Sequence, residues 1–308
     1  MISHFMGLHT ACLSYLCSLT RQAMRFLILS FSKIPFWLLY LVADLTAVLL
    51  RVVLRYRLAT VKEQIAACFP EYTEKERQQT VKAFYKNLAD VTLETFKSFS
   101  ISEEEVCKRM VLTNPGVLDA VKESEKSVIF MAAHQANWEW MLQGLSSQLS
   151  FPIDGVYKPL TNPTMEKIMR ESRSRFGGEP IPKNDFLMTV MKRRGQFRAY
   201  ALIADQVPLI SNDKYWTTFL GRETAFQIGA ETIARLTKFP AYFLNIRRVK
   251  RGYYTVTIEH LTDAPYPKEE WKLTEAYAKA AEQMITVAPQ DWLWSHKRWK
   301  YARSMYEG

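Results

Sequence analysis

One apolar segment near the start of the chain constrains its fold more than any other feature. It runs from Phe26 to Leu54, and the residues between Lys33 and Arg51 carry a single charge, Asp44. As a helix, that central part would be roughly 26 Å long, slightly short of the ~30 Å hydrocarbon core of a bilayer. We therefore predict a membrane anchor that either spans the bilayer or lies in its surface. A buried core helix is the alternative for the same pattern.

The residues around this segment predict how the chain is divided. Basic residues follow it slightly more densely than they precede it, which places the rest of the protein in the cytoplasm. A secretory signal peptide is not expected, because the apolar run is long and no small-residue cleavage site follows it. We expect residues 1–23 to be an over-called start or a floppy extension, residues 24–57 to be the membrane anchor helix and residues 58–308 to be the catalytic domain.

The charge balance favours anionic partners. Lys and Arg number 41 against 31 Asp and Glu, which gives a net charge of +10. Such a surface attracts nucleic acid, acidic lipid headgroups or an acidic protein. No helix-turn-helix, zinc-finger or RNA-binding motif accompanies the charge, so nucleic acid is not expected. The four cysteines lack the spacing of a metal site or a disulfide framework, so we expect free thiols and no metal. We also expect no cofactor.

The pattern of the chain after Lys126 predicts an α/β domain with a mixed, largely parallel sheet flanked by helices. Short apolar runs with β-branched residues alternate there with segments of helical periodicity. The predicted strands are 127–133, 151–157, 198–205, 241–249 and 253–261, and the predicted helices are 137–149, 162–177, 186–195 and 225–238. Residues 59–100 are predicted to be helical, with a capping box formed by Thr73 and Glu76.

His134 and Glu139 are the first candidates for chemistry. His134 ends a predicted strand, and active sites of α/β proteins gather at the carboxyl ends of strands. Glu139 lies early in the next helix, where its carboxylate can fold back, hold one imidazole tautomer and stabilise the imidazolium. No Gly-x-Ser-x-Gly motif accompanies them, which suits direct attack by a substrate hydroxyl on an acyl donor. From the spacing alone, a buried core histidine and a helix N-terminal charge are favoured instead.

Five ordered motifs change that balance. His-x-x-Asn-Trp-Glu after an apolar strand resembles the lysophospholipid acyltransferase superfamily, and more closely its lipid A secondary (lauroyl/myristoyl) acyltransferase branch. The resemblance extends from about residue 26 to 303, and it implies a glycerolipid-acyltransferase-like fold. The other four motifs are YKPLTNPTMEKIMRESRSRFGG (157–178), ALIADQVP (201–208), FLGRETAFQIGAETIARLT (219–237) and APQDWLWSHKRWK (288–300).

The resemblance implies a role for each matching residue. His134 becomes the general base and Glu139 its carboxylate partner in a His-x4-Glu motif. Arg173 and Arg175 match a basic helix end that would hold a phosphate or the donor thioester region. An ordinary solvated helix end is the alternative for these two arginines. Asp205 would orient an arginine or the histidine, or would be a simple turn carboxylate.

Five further residues are expected at the substrate. Asn137 belongs to the His-x-x-Asn-Trp-Glu motif and is expected to contact substrate. Phe219 and Gly221 match positions expected to wall an acyl tunnel. His296 and Arg298 belong to a basic, Trp-rich C-terminal cluster, which would hold anionic headgroups or act as a structural brace.

The implied function is acyl transfer at the inner membrane, with the catalytic domain on the cytoplasmic face. The resemblance implies acyl carrier protein as donor, with the acyl thioester as co-substrate, and an anionic glycolipid, a lipid A precursor, as acceptor. The alternatives are the same chemistry on another glycolipid, aminolipid or lysophospholipid, a lipid thioesterase, and a non-enzymatic membrane-surface adaptor. Acyl chain length and acceptor position do not follow from the sequence.

Overall fold

The fold is α/β, as the sequence predicts, with a seven-stranded, mostly parallel sheet flanked by helices. A computed structural model describes residues 25–123, 125–211 and 213–307. The expected extension at residues 1–23 therefore lies outside the described residues.

The elements follow one another along the chain in this order. The helices are α1 (25–32), α2 (Phe36–Val48), α3 (Leu58–Cys68), α4 (Glu74–Lys97), α5 (Glu103–Arg109), α6 (Asp119–Glu123), α7 (Trp138–Gln148), α8 (Pro163–Arg173), α9 (Phe186–Lys192), α10 (Gly229–Thr237), α11 (Lys272–Val287) and α12 (Ser304–Glu307). The strands are β1 (Met110–Leu112), β2 (Val128–Ala132), β3 (Ile153–Tyr157), β4 (Glu179–Pro182), β5 (Ala199–Ile203), β6 (Lys214–Phe219), β7 (Arg222–Gln227), β8 (Ala241–Lys250) and β9 (Tyr253–Thr262).

The strand order places β2 at the centre of the sheet. The order is β1-β9-β8-β2-β5-β3-β4, and every neighbouring pair is parallel except β8 and β9. All five residues of β2 are buried, which agrees with the apolar run that predicts it, since parallel strands are covered on both faces. The carboxyl ends of β2 and β5 therefore lie near the middle of the sheet edge.

Local signals in the sequence set several boundaries correctly. Thr73 and Glu76 form the predicted capping box at the start of α4. The predicted helix over 225–238 begins too early, because residues up to Gln227 complete β7, which pairs with β6 in a separate two-stranded antiparallel sheet. The strand pattern of β7 is hard to recognise in the sequence, because the helical pattern of α10 begins directly after it.

The apolar N-terminal segment forms a helix that packs against α4. Pro35 precedes α2, and a π-helical turn, Leu49–Val53, continues it. Residues Phe36–Val53 have a mean hydropathy of 2.0, and only 17% of them are buried, so in the described part of the chain this is the one helix long and apolar enough to cross a membrane. Its exposure does not support the alternative of a buried core helix.

Candidate active site

Two side chains at the ends of neighbouring strands form the centre of the site. β2 and β5 pair in parallel, with Ala132 opposite Ile203 at their carboxyl ends. His134 and Asp205 each follow two residues later. The strand pairing therefore brings together two residues that are far apart in the sequence, at the kind of sheet edge where α/β proteins bind ligands.

The carboxylate of Asp205 contacts both the imidazole ring and the backbone N–H of His134. Oδ1 of Asp205 lies 2.7 Å from Nδ1 of His134, and Oδ2 accepts a hydrogen bond from the His134 backbone N–H at 3.0 Å. Oδ2 also accepts from the indole Nε1 of Trp292 at 2.7 Å. Because an ionised carboxylate only accepts hydrogen bonds, Nδ1 of His134 carries a proton and Nε2 is the nitrogen that can take one up.

Mutual attraction sets the ionisation of this pair. Burial alone would raise the pKa of Asp205, but the positive charge and hydrogen bonds of His134, with the Trp292 hydrogen bond, lower it to about 2. Burial likewise acts to lower the pKa of His134, yet the charge and hydrogen bond of Asp205, with the charge of Glu139, leave it raised above its ordinary value. The site therefore stabilises an imidazolium, which is the form that a histidine base takes after it accepts a proton.

Glu139 contacts Arg173 and not a nitrogen of His134. The Arg173 Nη2 donates to both carboxylate oxygens of Glu139 at 3.0 Å, and its Nε lies 3.3 Å from Oε2. The two side chains are 20% and 19% exposed, so most of the ion pair is shielded from water. The sequence expectation that Glu139 holds the histidine needs this correction: Asp205 occupies Nδ1, and Glu139 acts on His134 through its charge.

One cleft of about 640 Å³ is lined by His134, Glu139 and Arg173 together. The Trp138 ring lies edge-on to the His134 ring, with the ring centres 5.3 Å apart. The Gln206 side-chain nitrogen, 3.3 Å from Nε2 of His134, lines the same cleft. Nε2 of His134, the nitrogen that can accept a proton, therefore lies at this cleft, where a substrate hydroxyl would take the place of the Gln206 amide.

An apolar cavity of about 80 Å³ adjoins the cleft. Trp138, Glu139, Tyr157 and Arg173 line both spaces. The cavity extends between α7 and the sheet, and its aliphatic walls include Leu142, Leu145, Ile153 and Leu202. A polar reaction centre and an apolar cavity therefore share the Glu139–Arg173 ion pair as a common wall.

The C-terminal segment fixes the loop that carries His134. Gln135 pairs with Trp292 in an isolated antiparallel bridge. The Leu293 N–H donates to the His134 carbonyl at 3.1 Å, and the Ala136 N–H donates to the Asp291 carbonyl at 2.9 Å. The predicted alternative of a C-terminal brace is thus what the geometry supports for this segment.

Two residues predicted to contact substrate have their polar groups engaged elsewhere. Asn137 is fully buried: its Oδ1 caps α7 by accepting from the Trp140 N–H at 2.9 Å, and its Nδ2 donates to Glu94 at 2.6 Å. Arg175 donates to the backbone carbonyls of Ser98 and Ile101. Neither residue lines the cleft. The side chain of Asn137 caps α7, and that of Arg175 joins the end of α8 to the end of α4.

The two residues predicted to wall an acyl tunnel have structural positions instead. Phe219 is fully buried, with ring centres 5.2 Å from Phe226 and 6.0 Å from Trp292. Leu220 and Gly221 have φ angles of 52° and 71° and connect β6 to β7. Positive φ at both positions is what a two-residue type I′ hairpin turn requires. The apolar cavity beside the cleft is formed by other residues.

His296 and Arg298 support the site from inside the protein. Nε2 of His296 accepts a hydrogen bond from the Val207 N–H at 3.1 Å. Burial lowers the pKa of His296 to about 4, with nearby positive charges acting in the same direction, so it stays neutral and holds the loop after Asp205. Arg298 is 1% exposed and donates to the Ala225 carbonyl at 2.6 Å. Neither residue lines the cleft.

Glu94 and Trp292 are positioning residues that the sequence patterns do not identify as such. Glu94 is fully buried and accepts from Tyr40 at 2.8 Å, Tyr254 at 2.7 Å and Asn137 at 2.6 Å. Through Asn137 it fixes the start of the helix that carries Glu139. The available signal was a carboxylate within the apolar stripe of a predicted helix, because buried charges require partners.

The chain has recognisable relatives among known proteins. A family model described as bacterial lipid A biosynthesis acyltransferase matches residues 13–301. The chain is similar to the lipid A biosynthesis palmitoleoyltransferase of Escherichia coli, with 22% identity over 87% of each chain. It is also similar to the lipid A biosynthesis lauroyltransferase of the same organism, with 22% identity over 80% of each chain. A lipid A biosynthesis acyltransferase of Haemophilus influenzae is 23% identical over 74% of this chain and 70% of its own.

Proposed function

Since this chain belongs to the bacterial lipid A biosynthesis acyltransferase family and is an acyltransferase, we propose that it transfers a fatty acyl chain from acyl carrier protein to a hydroxyl of a lipid A precursor. One observation carries the proposal. A histidine whose Nδ1 is held by a buried carboxylate lines a cleft that adjoins an apolar cavity.

The proposed reaction needs no protein nucleophile. Nε2 of neutral His134 takes the proton of the acceptor hydroxyl as its oxygen attacks the carbonyl carbon of the donor thioester. The tetrahedral intermediate collapses, the carbon–sulfur bond breaks, and the imidazolium returns the proton to the departing thiolate. Asp205 keeps the histidine in the required tautomer and stabilises the imidazolium between the two proton transfers.

The Glu139–Arg173 pair is proposed to orient the donor. Arg173 lines both the cleft and the apolar cavity, so its guanidinium lies where a polar thioester region would meet an apolar chain. Glu139 fixes that guanidinium through three contacts of 3.0–3.3 Å and adds negative charge near His134. The first backbone N–H groups of a helix lack acceptors within the helix. Asn137 accepts from the Trp140 N–H, so the N–H groups that precede it at the start of α7 are the ones proposed to donate to the developing oxyanion.

The acyl chain is proposed to enter the cavity between α7 and the sheet. Its walls are mainly apolar and it shares the Glu139–Arg173 pair with the cleft, so the thioester carbonyl would stay in the polar cleft. Its volume of about 80 Å³ holds only the first few methylene groups, and a whole chain would require the cavity to widen. The names of the two Escherichia coli relatives refer to palmitoleoyl and lauroyl transfer, and a chain of that class is the substrate proposed here.

The partners and the location follow from the same chemistry. The proposed acceptor is an anionic glycolipid, acylated on the hydroxyl of one of its acyl chains to give an acyloxyacyl ester. The net charge of +10 suits both that lipid and an acidic carrier protein. The exposed apolar helix Phe36–Val53 supports attachment to the inner membrane, with the catalytic domain on its cytoplasmic face.

The test is product analysis with the purified full-length protein. It would be given acyl–acyl carrier protein or acyl–coenzyme A, with a lipid A precursor as acceptor, and the products would be identified by mass spectrometry. We expect a new ester on the acceptor, formed faster from the carrier-protein donor. Free fatty acid without an ester would indicate a thioesterase and contradict the proposal. Ester formation only on a lysophospholipid would contradict the proposed acceptor.

A further inference from the structure

The N-terminal helix has one side packed on the protein and one side exposed, and the exposed side is the face that the proposed membrane attachment would use. Leu39 and Ala43 are fully buried in a cluster with Ala89 and Leu93 of α4. Polar contacts reinforce this packing, because Asp44, the one charged residue of α2, accepts from Arg251 at 2.8 Å. The outward side of the helix and its π-helical turn is an exposed apolar stripe, formed by Trp37, Leu41, Leu45, Val48, Leu49, Val52 and Val53.

A basic groove begins where this apolar stripe ends. The groove has a volume of about 570 Å³ and is lined by four basic side chains and one carboxylate, that of Glu74. Val52 belongs to both surfaces: it is 53% exposed in the apolar stripe and it also lines the groove. The four basic residues of the groove are Arg51, Arg55, Lys62 and Arg77.

Most of the positive charge in the basic groove is unpaired. Among the described residues, no carboxylate lies within ion-pair distance of Arg51, Arg55 or Lys62. Arg77 donates from Nη2 to the Pro70 carbonyl at 2.9 Å, while its Nε is buried without a hydrogen-bond partner. The groove therefore offers several donors and a net positive charge to an anion that the protein itself does not supply.

The backbone around the groove departs from regular helix where the arginines project. Arg51 belongs to the π-helical turn, Leu49–Val53, and such turns occur frequently at functional sites. Arg55 has a φ of 47°, which is uncommon for a residue with a long side chain. Arg51 lies within the last turn of the apolar stripe and Arg55 lies between that turn and α3, so the basic side chains follow directly on the exposed apolar surface.

We propose that the basic groove binds the phosphate of an anionic phospholipid of the bilayer, whose acyl chains cover the adjoining apolar stripe. Arginine and lysine bind phosphate through charge-assisted hydrogen bonds, and the shared residue Val52 places headgroup and chains side by side. A bound headgroup would fix the height and tilt of the catalytic domain on the membrane. The inference rests on the proposed membrane attachment, but it does not depend on acyl transfer.

Vesicle binding by the full-length protein tests the proposal. A triple variant, Arg51→Gln, Arg55→Gln and Lys62→Gln, removes three charges from the basic groove. Its matched control, Lys192→Gln, Arg194→Gln and Lys279→Gln, removes the same charge from exposed residues that do not line the groove. Each protein would be titrated with vesicles of phosphatidylcholine alone and with vesicles of equal parts phosphatidylcholine and phosphatidylglycerol.

We expect the wild type to prefer the anionic vesicles and the triple variant to lose that preference. A basic residue near an anionic surface contributes about a fivefold gain in binding, so three give on the order of a hundredfold. Binding to phosphatidylcholine and acyl transfer in detergent should stay at wild-type levels, and the control should keep most of the preference. If the wild type, the triple variant and the control all lacked acyl transfer but showed the expected vesicle binding, the proposed function would be wrong and the headgroup site would stand.

Three outcomes would overturn the inference. The triple variant and the control could bind anionic vesicles equally well, in which case only net charge matters. The triple variant could bind them like the wild type but show a raised KM for the lipid A precursor, which would assign the groove to the substrate. Inorganic phosphate could displace the wild type from anionic vesicles where sodium chloride of equal ionic strength does not, which would indicate a soluble-phosphate site.

Discussion

Nδ1 of His134 lies 2.7 Å from Oδ1 of Asp205, and each residue stands two positions beyond a pair of residues matched across β2 and β5. The sheet register therefore sets the distance between the base and its carboxylate. Because both strands have hydrogen-bonded neighbours on each side, this distance is fixed by the interior of the sheet. Asp205 is therefore the residue that sets the tautomer and the orientation of the His134 ring.

The first prediction concerns Asp205→Asn. The amide keeps the size of the side chain but can present an N–H to Nδ1, which would favour the wrong imidazole tautomer. We expect kcat to fall about a thousandfold or more, as in other histidines that lose an orienting carboxylate, with a small change in KM. Steady-state kinetics with Asp213→Asn as control, an exposed residue of the following segment, would check this. Near wild-type kcat in Asp205→Asn would contradict the assigned pair.

The second prediction is the pH dependence of kcat/KM. Only neutral His134 can accept a proton, and its pKa is raised by Asp205 and Glu139 against the effect of burial. Activity should therefore increase with pH and level off above an apparent pKa higher than the ordinary value of about 6.5. Glu139→Gln removes one of the raising charges, so the profile of that variant should shift to lower pH. A shift to higher pH would be inconsistent with this electrostatic account.

The third prediction separates a positioning role from ordinary packing. Trp292 and Trp294 are both buried, but only Trp292 donates to Asp205, while Trp294 donates to the Pro289 carbonyl. Trp292→Phe should lower kcat about tenfold to a hundredfold with little change in KM, since small displacements of reacting groups are costly. Trp294→Phe should lower the melting temperature to a similar extent but leave kcat largely intact. Equal kcat in the two variants would assign Trp292 a packing role only.

The fourth prediction concerns acyl chain length. A Cβ added at Gly155 would lie 2.8 Å from Cδ2 of Leu142, and both residues line the apolar cavity. Gly155→Ala should push Leu142 into the cavity and shift the preference toward shorter chains, by about fourfold for each methylene excluded. Competition between acyl donors of different length would measure the shift. Gly195→Ala is the control, because no atom lies near its added Cβ, and an equal shift there would refute the cavity assignment.

Much of the fold could be predicted because the signals are local. The buried run of β2, the capping box at Thr73 and the exposed apolar helix each follow from a short stretch of sequence. The β6–β7 hairpin could not be recognised, because its turn depends on positive φ at Leu220 and Gly221. The resemblance predicts an acyl-tunnel wall at Phe219, but a matching motif position does not distinguish a cavity wall from a packed core, where Phe219 lies.

The site could be predicted only in part for a related reason. The short spacing between His134 and Glu139 suggests contact, but it does not decide which carboxylate reaches Nδ1. That choice depends on the pairing of β2 with β5, which brings Asp205 from a distant part of the chain. Arg173, also distant in sequence, then pairs with Glu139. Long-range strand order is the information that a single sequence does not contain.

The most direct test of the central claim is mass spectrometry of lipid A from a strain that lacks this gene. The strain would be complemented with the wild type or with His134→Ala, at matched protein levels in the membrane fraction. The account predicts that one acyl chain is missing from the lipid A and that only the wild type restores it. Lipid A that is unchanged by the deletion, or restored equally by His134→Ala, would contradict it.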